Sequence, residues 1–287
     1  MYYALILLSV SMFGGGFALN DLYRKMRGSG LKISLESSFI GALAGLTVLV
    51  AVNGFQLEFT WFTLCIAFLN AVNGIAFIFC AFKALDSINL SLFSLFSMLG
   101  GMLLPFLQGI VFFNEKLTVA KIVCILFIVA ALSLTISRDN KKKGAIFYIG
   151  IFVLNGMSGV LAKIFASAAF PKTSAAMFSI WSSVCTLILA GTALLFLLRK
   201  RNDSTHCSLG SVSVAAVGGI NSQIANFILV LSLAHVDASV QYPMVTGGVM
   251  IVSTLISLFG NKKPGKKEIC AVGLAFVAML ALFFIPI

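Results

Sequence analysis

Apolar residues along this chain fall into long, nearly unbroken runs. They cover Tyr3–Tyr23, Leu35–Asn53, Trp61–Phe82, Ile88–Phe113, Leu117–Ser137, Gly144–Ala168, Ser174–Leu198, Gly210–Leu233, Ala238–Gly260 and Ile269–Pro286. Each is close to the roughly 20 residues a helix needs to cross a hydrocarbon core. Barrel strands would instead alternate polar and apolar positions over about ten residues. Backbone polar groups in lipid must be satisfied within the spanning element, so runs of this kind are helices. The pattern predicts an all-α integral membrane protein with ten transmembrane helices. Its connections are too short for a soluble domain. The first run has no basic residue before it, and Arg24 and Lys25 follow it, so it reads as a retained span rather than a cleaved signal.

Composition strengthens this picture. Hydrophobic residues make up 60% of the 287 and charged residues 10%, against roughly 25% charged in soluble domains. The net charge of +11 raises the question of nucleic acid. The basic residues, however, form short clusters beside the runs: Arg24, Lys25 and Arg27; Lys141 to Lys143; Arg199 to Arg201; Lys262, Lys263, Lys266 and Lys267. Such clusters hold loops against anionic lipid. No basic face with interleaved aromatics exists, so no nucleic-acid partner is expected. Cys65, Cys80, Cys124, Cys185 and Cys270 fall in or beside runs and Cys207 in a loop, which reads as small apolar packing rather than a disulfide framework. His206 and Cys207 alone are too few for a metal site. No cofactor and no metal are expected.

The second half of the chain repeats the first. Ile88-Asn89-Leu90-Ser91-Leu92 answers to Val236-Asp237-Ala238-Ser239-Val240, and Gly100-Gly101 to Gly247-Gly248 with one gap. An offset of 148 carries Asn73 onto Asn221; an offset of 142 carries Gly14 onto Gly156 and Asp21 onto Lys163. The expected units are residues 1–139 and 140–287, five spans each. An odd number of spans per unit inverts the second in the membrane. The loop charges agree: among the 20 Lys and Arg, only Lys116, Lys121, Lys163 and Lys172 fall at even-numbered connections. The positive-inside rule then puts the odd loops in the cytoplasm and both termini outside, in a cell membrane of the bacterial plasma-membrane type.

Inverted repeats recur in secondary transporters, with the solute bound near the midplane between repeats. Particular residues point the same way. Phe13-Gly14 and Asn155-Gly156 are each followed by a charge seven residues after the glycine, Asp21 and Lys163. Phe82-Lys83-Ala84-Leu85 ends span three, span four is serine-rich, and Phe113-Asn114-Glu115-Lys116-Leu117 opens span five. In these marks and their order the chain resembles the drug/metabolite transporter superfamily, in its ten-helix EamA-like family. The resemblance implies movement of an amino acid or similar metabolite by alternating access, often outward. Asn261-Lys262-Lys263-Pro264 stands where the family often repeats its Glu motif.

Polar side chains deep in lipid are costly and face other helices or a wet cavity. Asn70 and Asn73 share a face of span three, and Asn221, Gln223 and Asn226 cluster on span eight. Amides offer both donors and acceptors, which suits an uncharged or zwitterionic solute. Interhelical bonding is the alternative use of the same groups. Ser94, Gln241, Tyr242, Trp181 and Lys163 complete the candidate substrate-binding set. For Lys163 the competing reading is snorkelling to the interface; for Trp181, packing. Asp21 is the nearest candidate for ion coupling, with pairing to a neighbouring base as its alternative. Pro105 and Pro243 are candidate kinks. The glycine pairs read as close-packing elements.

The expected partners are a small-molecule substrate and the bilayer, with the protein a monomer or homodimer. The alternative function is a channel or a non-transporting assembly factor. An enzyme is not expected, because no nucleophile, base or metal ligands converge.

Overall fold

The computed structural model describes residues 2–112, 118–135, 145–200, 208–233, 238–260 and 263–284. They form α1 (Tyr2–Arg27), α2 (Leu31–Val52), α3 (Trp61–Ser87), α4 (Leu90–Phe112), α5 (Val119–Thr135), α6 (Ala145–Ser167), α7 (Ala175–Lys200), α8 (Leu209–Leu233), α9 (Ala238–Leu258) and α10 (Lys266–Phe284). No strand occurs among the described residues. Among the described residues, seven helices, α1 to α4 and α6 to α8, are long and apolar enough to cross a membrane. The chain is thus all-helical and built as a multi-pass membrane protein. The boundary at 139/140, the motif at 113–117, His206, Cys207 and His235 lie outside the described residues.

Several helices outrun their apolar cores. α1 continues past Tyr23 through Arg24, Lys25 and Arg27. α2 starts four residues before Leu35, α3 ends five after Phe82, and α10 starts three before Ile269. Leaving the apolar layer does not end a helix, and basic side chains in a last turn favour its C-terminal dipole. What ends α1 is Gly28, whose φ of +96° breaks the helical path. Local caps set other starts. Thr60 accepts from the Thr63 N–H at 3.2 Å to open α3. Asn89 Oδ1 accepts from the Leu92 N–H at 2.9 Å to open α4.

The most extensive helix contacts close into a ring of eight: α2, α8, α1, α9, α4, α6, α3, α7 and back to α2. α5 and α10 stand outside it, packed on each other, with α10 also against α9 and α4. Exchanging α1–α5 with α6–α10 maps this contact pattern onto itself. Side-chain contacts show which connections share an end. Arg24 and Ser29 meet Asp86, and Asn89 meets Glu268, so the first, third and ninth connections share one end. Glu58, Thr63, Thr173, Ser174 and Trp181 meet at the other, which holds the second and sixth. These are called the odd and even ends below.

Glycines let ring neighbours approach. A Cβ on Gly14 of α1 would sit 2.5 Å from Val252 Cγ1 of α9, and one on Gly156 of α6 would run into Leu104 Cδ1 of α4. A Cβ on Gly248 would meet Val10 Cγ1 at 2.6 Å, and one on Gly100 would run into the Phe152 carbonyl oxygen. These four contacts are two matched pairs: 142 carries Gly14 and Val10 onto Gly156 and Phe152, and 148 carries Gly100 and Leu104 onto Gly248 and Val252. Pro105 does not interrupt α4. Its ring lies over Gly159 of α6, where a Cβ would approach Pro105 Cγ to 2.5 Å. Pro105 is therefore a packing element of this crossing.

Candidate functional site

Seven polar side chains of the ring lie at a similar depth. Counting about 1.5 Å per helical residue from the even end, Asn70 and Asn73 of α3 lie about 14 and 18 Å in. Gln223 and Asn221 of α8 lie about 15 and 18 Å in, Ser158 of α6 about 14 Å, and Ser182 and Ser183 of α7 about 11 and 12 Å. Measured along the helices, this belt lies in the interior of the ring and not at either terminus. Hydrogen bonds link it across the helices. Asn70 Nδ2 donates to Ser182 Oγ at 3.4 Å, and Gln223 Nε2 to Ser183 Oγ at 3.1 Å. Two adjacent serines of α7 are thus reached from α3 and from α8. In the ring, α2 stands between α7 and α8.

The asparagines divide by role. Asn73 is buried, and its Nδ2 donates to the Leu154 carbonyl and to Ser158 Oγ, each at 2.8 Å. Asn221 Nδ2 donates to the Met12 carbonyl at 2.6 Å. The offset of 142 carries Met12 onto Leu154 and Gly16 onto Ser158. Gly16 lies beside Asn221: a Cβ there would come 3.1 Å from its Nδ2. The two asparagines therefore make the same interhelical tie at matched positions, with a serine hydroxyl on one side and a bare glycine on the other. Their N–H groups serve the helix contacts, while the bond of Asn70 to Ser182, at 3.4 Å, is longer than an ordinary hydrogen bond.

The other sequence candidates sit elsewhere. Asn226 is exposed and donates to the Ser222 carbonyl one turn back, at 2.9 Å. Ser94 is buried near the odd end and donates to the Ser91 carbonyl at 2.8 Å, while Ser91 pairs with Thr254 Oγ1 of α9 at 2.8 Å. Trp181 lies at the even end; its Nε1–H donates to the Glu58 carbonyl at 2.9 Å, and Phe59 meets it edge-on with centroids 5.6 Å apart. Lys163 is partly buried, one turn from the even end of α6. Asp21 is held by Arg24 at 2.7 Å and Lys25 at 2.6 Å. The side chains of Gln241 and Tyr242 lie outside the described residues.

A solved crystal structure shares this fold. It superposes with a TM-score of 0.61 at 15% identity, covering 97% of this chain and 99% of that one. It is one of 28 solved chains that match. At such identity the likeness speaks for the fold alone. No protein-family model and no curated protein matches the chain.

Sequence reasoning missed three members of the belt and one further amide at its depth. Ser158, Ser182 and Ser183 drew no notice because serine is common in helices and usually bonds its own backbone. Asn155 was noticed for its neighbour Gly156, yet its Nδ2 donates to the Ser97 carbonyl of α4 at 2.7 Å. The available signal was depth: each lies within two turns of Asn73 or Gln223 when helices are counted inward from one end.

Proposed function

We propose that the chain is a secondary transporter of the ten-helix EamA-like type, moving an amino acid or similar small metabolite outward by alternating access. In this reading the ten helices are two inverted five-helix repeats, the odd end faces the cytoplasm, and the solute binds at the polar belt. The observation that carries it is the matched pair of ties, Asn73 to Leu154 and Asn221 to Met12, at mid-depth in a ring that exchanging the halves maps onto itself. A fold whose halves can trade places has two related states from one sequence, which is what alternating access needs. Asn70 and Gln223 with their α7 serines offer amide and hydroxyl groups without a net charge. That chemistry suits a zwitterionic or neutral polar solute.

Coupling through Asp21 is disfavoured, because both of its carboxylate oxygens already face cations. The proposal is therefore facilitated movement or exchange. The test is flux of a labelled amino-acid panel into proteoliposomes, with and without a pH gradient. At least one solute should cross, at a rate indifferent to the gradient. Asn70→Ala and Gln223→Ala should raise its apparent KM while the protein remains folded. No flux across the panel, or wild-type kinetics in both variants, would sink the reading.

A further inference from the structure

α1 and α3 occupy opposite positions in the ring, four steps apart in either direction. Yet at the odd end they touch. Arg24 Nη1 of α1 reaches Asp86 Oδ1 of α3 at 2.6 Å. The Ser29 hydroxyl, just beyond α1, donates to the other oxygen of Asp86. One turn inward, Tyr23 packs on Phe82 with centroids 5.9 Å apart, both almost wholly buried. Deeper again, Phe93 of α4 lies between Phe17 of α1, at 5.0 Å, and Phe77 of α3, at 6.3 Å. Three successive layers thus cross the mouth of the ring at this end.

The even end differs. Thr63 with Thr173, and Phe62 with Phe165, join α3 only to the flanks of its ring neighbours α6 and α7. The sequence explains the difference. The offsets that match the two halves put Ala166 in the place of Arg24, Ala234 in the place of Asp86 and Gly159 in the place of Phe17. The second half thus lacks this charge pair and the counterpart of Phe17, while Phe165 stands in the place of Tyr23.

We infer that the Arg24–Asp86 pair is a latch that holds the odd end of the ring shut, with the aromatic layers as its seal. The inference rests on the alternating-access reading above. Arg24 suits the task because Asp21 holds its guanidinium through Nε and Nη2, at 3.1 and 2.7 Å, aiming Nη1 across the mouth. Arginine's planar fork makes such a two-sided grip possible. The Asp86 side chain is 42% exposed, so the pair is close enough to water to open. It favours the shut state without fixing it.

The experiment uses the full chain in proteoliposomes, with the six native cysteines replaced. Spin labels go at Met26→Cys and Ser87→Cys, exposed positions beside the two partners. Arg24→Gln and Asp86→Asn should each raise the long-distance population about two- to five-fold, the range for a partly exposed pair. Lys25→Gln removes the same charge from an ion pair within α1 and should leave the distances unchanged. About 1 M salt should reproduce the shift in the otherwise wild-type pair, since screening reaches exposed charges. Unchanged distances in both variants and in salt would overturn the latch. Shifted distances with no solute flux would instead sink the transport reading and leave the latch standing.

Discussion

The α4–α6 crossing and the α1–α9 crossing are counterparts, yet they are not equally tight. At the first, Gly100 lies against the backbone carbonyl of Phe152. At the second, Gly248 lies against the side chain of Val10. Backbone cannot yield, whereas a side chain can shift within its rotamers. One crossing is thus a fixed joint and the other has some give. Matched contacts keep their geometry while the residues on each side set their stiffness.

Substitutions can break this comparison. Gly100→Ala should cost about 3 kcal/mol or more, because the new methyl meets backbone and the helices must part. Next comes Asn73→Ala, which removes two interhelical hydrogen bonds and should cost about 1–2 kcal/mol. Gly248→Ala should cost about 1 kcal/mol, since Val10 can give way. Asn221→Ala removes one bond and should cost about 0.6 kcal/mol. All four can be read from reversible unfolding in mixed micelles. A Gly248→Ala cost equal to that of Gly100→Ala would show the two crossings to be equally rigid. In a double-mutant cycle, Ser158→Ala should bring Asn73 down to the level of Asn221, because it gives the Asn73 tie the bare flank that Gly16 gives the other. An additive cycle would deny the hydroxyl any role in that tie.

Much of this was legible in the chain because membrane helices announce themselves by length and hydropathy. The repeat offsets found from Gly14, Asn73 and their partners recur as matched contacts in space. The ring order was not legible. Which face of an apolar helix meets which neighbour depends on small residues such as Gly41 and Gly219, whose backbones touch, and hydropathy is blind to them. The helix ends at Arg27 and Ser87 are not legible from polarity, because caps and Gly28, not the loss of hydropathy, end these helices. The candidate site was half legible. Amides deep in a span mark polar depth, but nothing in their identity says whether their donors serve a neighbouring helix, as in Asn73, or make a long bond such as that of Asn70. Ser94 misled for the same reason: its hydroxyl turns back on its own helix.

The ring alternates strictly between helices from before and after residue 140. This carries a consequence for biosynthesis. As the ribosome delivers α1 to α4, none of them has yet met a ring neighbour, because every such neighbour is still to be made. The early helices must wait in the bilayer as separate rods, held only by the slight contacts among themselves. Expressed alone, residues 1–139 or 140–287 should be cleared rapidly by membrane proteases. Expressed together as two chains, they should protect each other, and a pulse-chase of their half-lives would show it; equal lifetimes alone and together would mean that a half can fold unaided.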